Sequence, residues 1–231
     1  MNSVILVGGG YSIKEGIEKG LWNEIKNQEI WSLNIAFKTM PYLPSKELFV
    51  DHSFFNSYQE DLLSLPCELI AVNHAYYLKF PKIKNIFTTQ NPKEFYGRES
   101  LNKNKIFTGS RKFCGFFAIS YAIALGYKTI YLLGYDWGNI IDTTGKKQSH
   151  YFDNNLKDYG ILKCYQNPKY NAFENNNNQP KEDVKDFEVY LTVSDCKIYN
   201  VSLKSRIDYF EKINFETFYN HLKKEENETN S

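Results

Sequence analysis

Arg111-Lys-Phe-Cys-Gly-Phe-Phe-Ala-Ile-Ser-Tyr-Ala-Ile-Ala-Leu-Gly-Tyr-Lys-Thr-Ile-Tyr-Leu-Leu-Gly-Tyr-Asp136-Trp137 is the stretch that decides the fold. From Phe113 to Leu125 it is apolar or small, broken only by Gly115 and Ser120. That is too long for a strand and reads as a buried helix. It also falls short of the ~20 residues that a bilayer requires. Gly126-Tyr127 makes a turn, and Thr129-Ile-Tyr-Leu-Leu133 has the β-branched and aromatic content of a strand. Asp136 then stands just past that strand's C-terminal end, where open α/β sheets hold their ligands. The unit predicts a site for a nucleotide or a nucleotide sugar.

Working outward, Val4-Ile-Leu-Val7 runs into Gly8-Gly9-Gly10, and Ser12 with Glu15 has the Ser-x-x-Glu spacing of a capping box. Strand, glycine turn and helix follow in order. Residues 29–34, 47–51, 68–73, 85–88 and 197–201 are further apolar runs, mostly ending in a polar residue. Parallel strands covered on both faces look like this, because only their ends are left to be polar. The fold class expected is α/β, a single doubly wound, mostly parallel, Rossmann-like sheet with a lid insertion. Residues 1–222 form the domain, 137–183 lose periodicity and read as the lid, and 223–231 read as a polar tail.

At 231 residues, one well-packed core is expected. With 28 Lys+Arg against 27 Asp+Glu the net charge is +1, so no overall field favours nucleic acid. A local patch is left open by that balance, as is assembly into oligomers. Four cysteines (Cys67, Cys114, Cys164 and Cys196) stand far apart without CxxC spacing, and the opening Met-Asn-Ser-Val-Ile has no signal-peptide character. Both point to a reducing, cytoplasmic setting. The abundance of Asn, Lys, Ile and Tyr matches the coding bias of an AT-rich bacterial or phage genome.

The chemistry is expected at strand ends. Gly8, Gly9 and Gly10 let backbone N–H groups approach a phosphate, and the helix after Ser12 adds a partial positive charge; a purely structural glycine turn explains them as well. NAD is disfavoured, because Ile13 stands where its fingerprint wants a small residue and the second strand ends in Asn34 rather than an acid. Asn34, Asp51, Asn73 and Asp136 all fall at predicted C-terminal strand ends and would line one crevice, although Asp51 and Asp136 equally suit helix caps. Arg111 precedes the central helix, so its charge and the helix start would act on the same anion; a surface arginine is the plain alternative. His150 is the candidate base among four histidines. No Ser-His-Asp order, HExxH, CxxC or P-loop supports hydrolase or zinc chemistry.

Several segments together resemble the bacterial sialyltransferases of glycosyltransferase family 42 and the related 6-hydroxymethylpterin diphosphokinase-like Rossmann proteins. They are Val4 to Glu15, the strand ends at Asn34 and Asp51, Arg111 to Trp137, Ser149-His-Tyr151, and Ile198-Tyr-Asn-Val-Ser-Leu-Lys-Ser205. The resemblance implies metal-independent sugar transfer from a cytidine nucleotide, with a histidine as base and tyrosines on the leaving phosphate. It implies nucleotide contacts near Gly8 to Ser12 and Asn34, an active-site role for Arg111, backbone contacts around Cys114 and Gly115, and a lid after Trp137. With the strand-end reading, the candidate site takes Arg111, Asp136, His150 and Tyr151 as catalytic and Gly8, Gly9, Gly10, Ser12, Asn34, Asp51, Cys114 and Gly115 as donor-binding. This chain carries Asn154 where the family has its base, and Gly138 and Thr144 where it has tyrosines.

The leading expectation is a glycosyltransferase-like enzyme that needs no metal or cofactor beyond a nucleotide-sugar donor. The acceptor hydroxyl is open between a glycan and a modified nucleobase. Two alternatives stand beside it. One is diphosphate transfer to a pterin-like alcohol, with magnesium held by Asp51 and Asp136. The other is a non-catalytic nucleotide-binding protein.

Overall fold

The structure, a computed structural model, describes residues 2–91, 94, 106–107, 113–138, 140–141, 144–145, 147–148, 150–151, 158–161, 188–193 and 195–229. The first half runs β1 (Ser3–Val7), α1 (Ile13–Glu18), α2 (Leu21–Ile25), β2 (Ile30–Leu33), β3 (Lys46–Phe49), α3 (His52–Ser57), α4 (Gln59–Ser64), β4 (Glu68–Val72) and β5 (Ile83–Ile86). Next come β6 (Thr88–Thr89), β7 (Ile106–Phe107), α5 (Cys114–Leu125), β8 (Thr129–Leu133), β9 (Ile140–Ile141) and β10 (Lys147–Gln148). The described chain closes with α6 (Glu188–Val193), β11 (Lys197–Asn200), β12 (Glu211–Lys212) and α7 (Phe215–Thr229).

Eight strands form one sheet in the order β12-β11-β8-β1-β2-β3-β4-β5, and every neighbouring pair is parallel. This is the Rossmann-like α/β fold. From β1 the chain steps outward to β5, then returns through α5 to lay β8 against the other side of β1. The reversal falls between β1 and β8, and it opens a crevice at their C-terminal ends.

Alternation along the strands fills both faces, because successive side chains point to opposite sides. Val4, Leu6, Ile130 and Leu132 pack with α5 on one face. Ile5, Val7, Tyr131 and Leu133 pack with Ile13, Phe215 and Phe218 on the other. Ten of the twelve α5 residues are buried, which suits a helix that is apolar all round. The buried Ser120 hydroxyl on it is satisfied: Ser120 Oγ donates to the Phe107 carbonyl at 2.6 Å and touches the Tyr190 hydroxyl, which donates to the Phe116 carbonyl.

Three sequence expectations change, and one strand is new. The strand expected at 85–88 is divided, because β5 ends at Ile86 and Thr88 begins a separate parallel pair, β6 with β7. The Ser12–Glu15 capping box does not form: Ser12 has helical angles and no side-chain cap bond. β12 is two residues long and gives no periodic signal. The segment read as a polar tail is helical through Thr229. Glu225 accepts from the Ser3 hydroxyl at 2.5 Å and from Tyr131 at 2.8 Å, and Gln28 donates to Glu226 at 2.7 Å. Most of the expected lid, 137–183, lies outside the described residues. Those within it include the β9–β10 antiparallel pair and a turn that ends in buried Ile161. Among the described residues no helix is long and apolar enough to cross a membrane.

Candidate functional site

The ends of β1 and β8 are tied to each other before either reaches solvent. Gly8 N–H donates to the Leu133 carbonyl at 2.8 Å, and Gly10 N–H donates to the Gly134 carbonyl at 3.0 Å. A β-carbon on Gly10 would lie 2.5 Å from the Gly134 carbonyl oxygen and 2.6 Å from Asp136 Oδ2. The glycine turn therefore has a packing reason of its own, which is to let two strand ends cross at backbone distance.

Around that crossing lies a cleft of about 280 Å³, lined by Gly8 to Gly10, Leu33 to Ile35, Phe113 to Gly115, Gly134 to Gly138 and His150. Asp136 lines it and is 1% exposed. Its Oδ2 accepts from Ser12 N–H at 2.8 Å, while its Oδ1 has no hydrogen-bond partner. Burial raises this carboxyl above its ordinary value, partly offset by Ser12, by the Ser202 hydroxyl and by the charge of His150. His150 is exposed in the cleft, and an antiparallel bridge fixes its backbone to Gly10.

The first turn of α5 forms one wall. Its N-cap is Phe113, which offers no side-chain bond, so the leading N–H groups beside Cys114 and Gly115 are left for water or a ligand. Cys114 does not supply a nucleophile. Its thiol donates to the Leu48 carbonyl at 3.2 Å, and burial together with the charge of Glu47 pushes its pKa well up.

Two lining residues hold left-handed backbone, Asn34 at φ 53° and Trp137 at φ 55°; among the described residues no other non-glycine has positive φ. Asparagine tolerates that region, whereas for tryptophan it is an outlier, and such strain gathers at functional sites. Trp137 is held by edge-on contacts with Phe113 at 4.8 Å and Phe116 at 5.7 Å. The Asn34 Oδ1 is buried without a partner.

Of the four strand-end residues expected in one crevice, the structure brings Asn34 and Asp136 together and leaves Asp51 and Asn73 outside the lining. The cleft belongs to β1 and β8 and reaches β2. β3 and β4 lie one and two strand spacings farther on, at about 4.8 Å each. Asp51 caps α3 through Ser53, whose N–H and hydroxyl both donate to it at 2.8 Å. Asn73 N–H goes to the Ile86 carbonyl. Tyr151 follows His150 but does not line the cleft. Its hydroxyl hydrogen-bonds that of Thr39 and its ring packs into the core. Arg111, Asp153 and Asn154 lie outside the described residues.

The segment after β11 has a role that residue types alone did not reveal. Asn200 Nδ2 and Ser205 Oγ both donate to the Tyr135 carbonyl, at 3.2 and 2.7 Å, and Arg206 N–H donates to the Asp136 carbonyl at 3.0 Å. This loop pins the backbone on which Asp136 and Trp137 are displayed.

No protein-family model matches the sequence, and no curated protein does. Among solved structures, the MAf glycosyltransferase from Magnetospirillum magneticum AMB-1 aligns at a TM-score of 0.55 and 14% identity, over 92% of this chain and 33% of that one. The chain thus spans about a third of that structure's length, and what the two share is the fold.

Proposed function

We propose that the protein is a glycosyltransferase-like enzyme that moves a sugar from a nucleotide-activated donor to an acceptor hydroxyl without a metal. The observation that carries this reading is the buried, half-unpartnered Asp136 beside His150, at the point where a wholly parallel sheet reverses direction. The fold shared with a glycosyltransferase supports it.

In this reading the donor phosphate lies toward the free N–H groups of α5, and the sugar lies over the glycine turn toward His150. The acceptor oxygen attacks the anomeric carbon as the bond from that carbon to the nucleotide's phosphate oxygen breaks. His150 takes the acceptor proton, and the negative charge of Asp136 stabilises the imidazolium that forms. The displaced nucleotide leaves as an anion, its charge met by the helix start.

The magnesium-dependent alternative needs Asp51 and Asp136 on one ion. Asp51 is engaged as a helix cap and does not line the cleft, and among the described residues no three His, Cys, Asp or Glu side chains are grouped to hold a metal.

A panel of cytidine-monophosphate and nucleoside-diphosphate sugars tests the reading through melting temperature and nucleotide release. At least one donor should raise the melting temperature in the presence of a chelator. Its turnover should fall about 10²–10⁴-fold in His150→Asn with donor affinity retained. Stabilisation by ATP with magnesium alone would replace this reading with diphosphate transfer.

A further inference from the structure

The described lining of the cleft holds one carboxylate and one imidazole but no permanent positive charge. An anionic ligand seated there would be met by backbone N–H groups alone, unless a cation reaches the rim. The loop after β11 brings one. Arg206 lies against Gly138, a lining residue, with its Nη1 3.2 Å and its Cζ 3.4 Å from where a β-carbon on that glycine would stand. Gly138 has φ 136°, backbone that side chains rarely adopt, and its missing side chain is the space in which the arginine lies.

The placement is fixed from below. Arg206 N–H is bonded to the Asp136 carbonyl, and the preceding Ser205 is held by the Tyr135 carbonyl and by Asn200. The guanidinium therefore projects from a loop that is bonded directly to the turn displaying Asp136. Among the described residues no carboxylate pairs with it, whereas its neighbour Lys212 is committed to Asp208 and to the Ser205 carbonyl. An arginine held against a cleft by its backbone, with no counter-ion among the described residues, is equipped to take an anion. Its planar fork of donors suits two oxygens of a phosphate.

The geometry points to Arg206 as a binding residue for the phosphate of the cleft's ligand, on the side of Asp136 marked by Gly138. The identity of that ligand as a nucleotide rests on the reading above; the anion site does not.

Isothermal titration of the parent protein, Arg206→Ala and Arg206→Lys with CMP, UDP and inorganic pyrophosphate tests it. The parent binds at least one of these anions, the alanine variant binds it about 10–100-fold more weakly, and the lysine variant recovers part of the loss. Added salt narrows the difference. The unliganded melting temperature should be the same in all three proteins, since the side chain is exposed; if alanine lowers it, Arg206→Gln carries the comparison. Nucleotide affinity unchanged in the alanine variant would overturn the role of Arg206 and leave the nucleotide reading standing. Arg206-dependent binding of pyrophosphate without any nucleotide binding would keep the site and remove that reading. A parent protein that binds none of the three overturns both.

Discussion

Two carboxyl side chains are buried where their charge has little compensation. Asp136 has an ordinary value of 3.8 and Glu47 of 4.5, and burial holds both higher in the folded protein. Glu47 is wholly buried, with one oxygen accepting from the Ser32 hydroxyl and the other without a partner. The folded state therefore keeps protons that the unfolded chain has already released, and stability falls as pH rises from these ordinary values through the raised ones. Asp136→Asn and Glu47→Gln each remove that penalty. Both variants should melt higher than the parent at neutral pH, with the gain shrinking toward about pH 4, as calorimetry across that range would show. Under the proposed mechanism activity should separate them: Glu47→Gln should keep it, whereas Asp136→Asn should lose about 10²-fold or more, since the imidazolium would no longer be stabilised. Gly10→Ala has the opposite effect on stability. It forces a β-carbon into the Gly134 carbonyl and Asp136, and denaturant unfolding should show a loss of about 1–3 kcal/mol together with weakened donor binding.

Among the elements, legibility followed burial. Strands β1 to β4, β8 and β11 lie within a residue or two of where their apolar runs placed them, and α5 begins one residue after Phe113, because fully buried strands and helices advertise themselves by composition. Gly8 to Gly10, Asn34 and Asp136 could be grouped because strand ends in a doubly wound sheet converge, whereas Cys114 and Gly115, at a helix start, came in through the family resemblance alone. How far along the edge the cleft extends depends on strand order, which no local pattern carries, and Asp51 and Asn73 fell beyond it. The loop that positions Asp136 works largely through backbone carbonyls, so its residue types gave no warning. The last turns of α7 were hidden differently: their Lys and Glu content reads as solvent-facing, yet Glu225 reaches back to Ser3 and Tyr131. Glu225→Ala should cost about 1–3 kcal/mol, with Tyr131→Phe showing non-additive loss when combined with it. Full additivity in that double-mutant cycle would mean the two side chains act independently.

For the whole molecule, the bond between Ser3 and Glu225 joins the first strand of the sheet to its last helix. The described chain is thereby almost a ring: residues 3 and 225 meet on one side of the sheet, and residue 229 lies only about 6 Å of helix beyond the contact. A flexible bridge of roughly five to eight residues could close it. New ends could then be opened at the exposed Lys26–Asn27 turn without breaking any strand of the sheet. Such a circular permutant should fold and bind the same ligand as the parent, since every contact around the cleft is kept while the order of synthesis is changed. Loss of folding in that permutant, measured by circular dichroism, would show that β1 has to be made before β2 for the sheet to assemble.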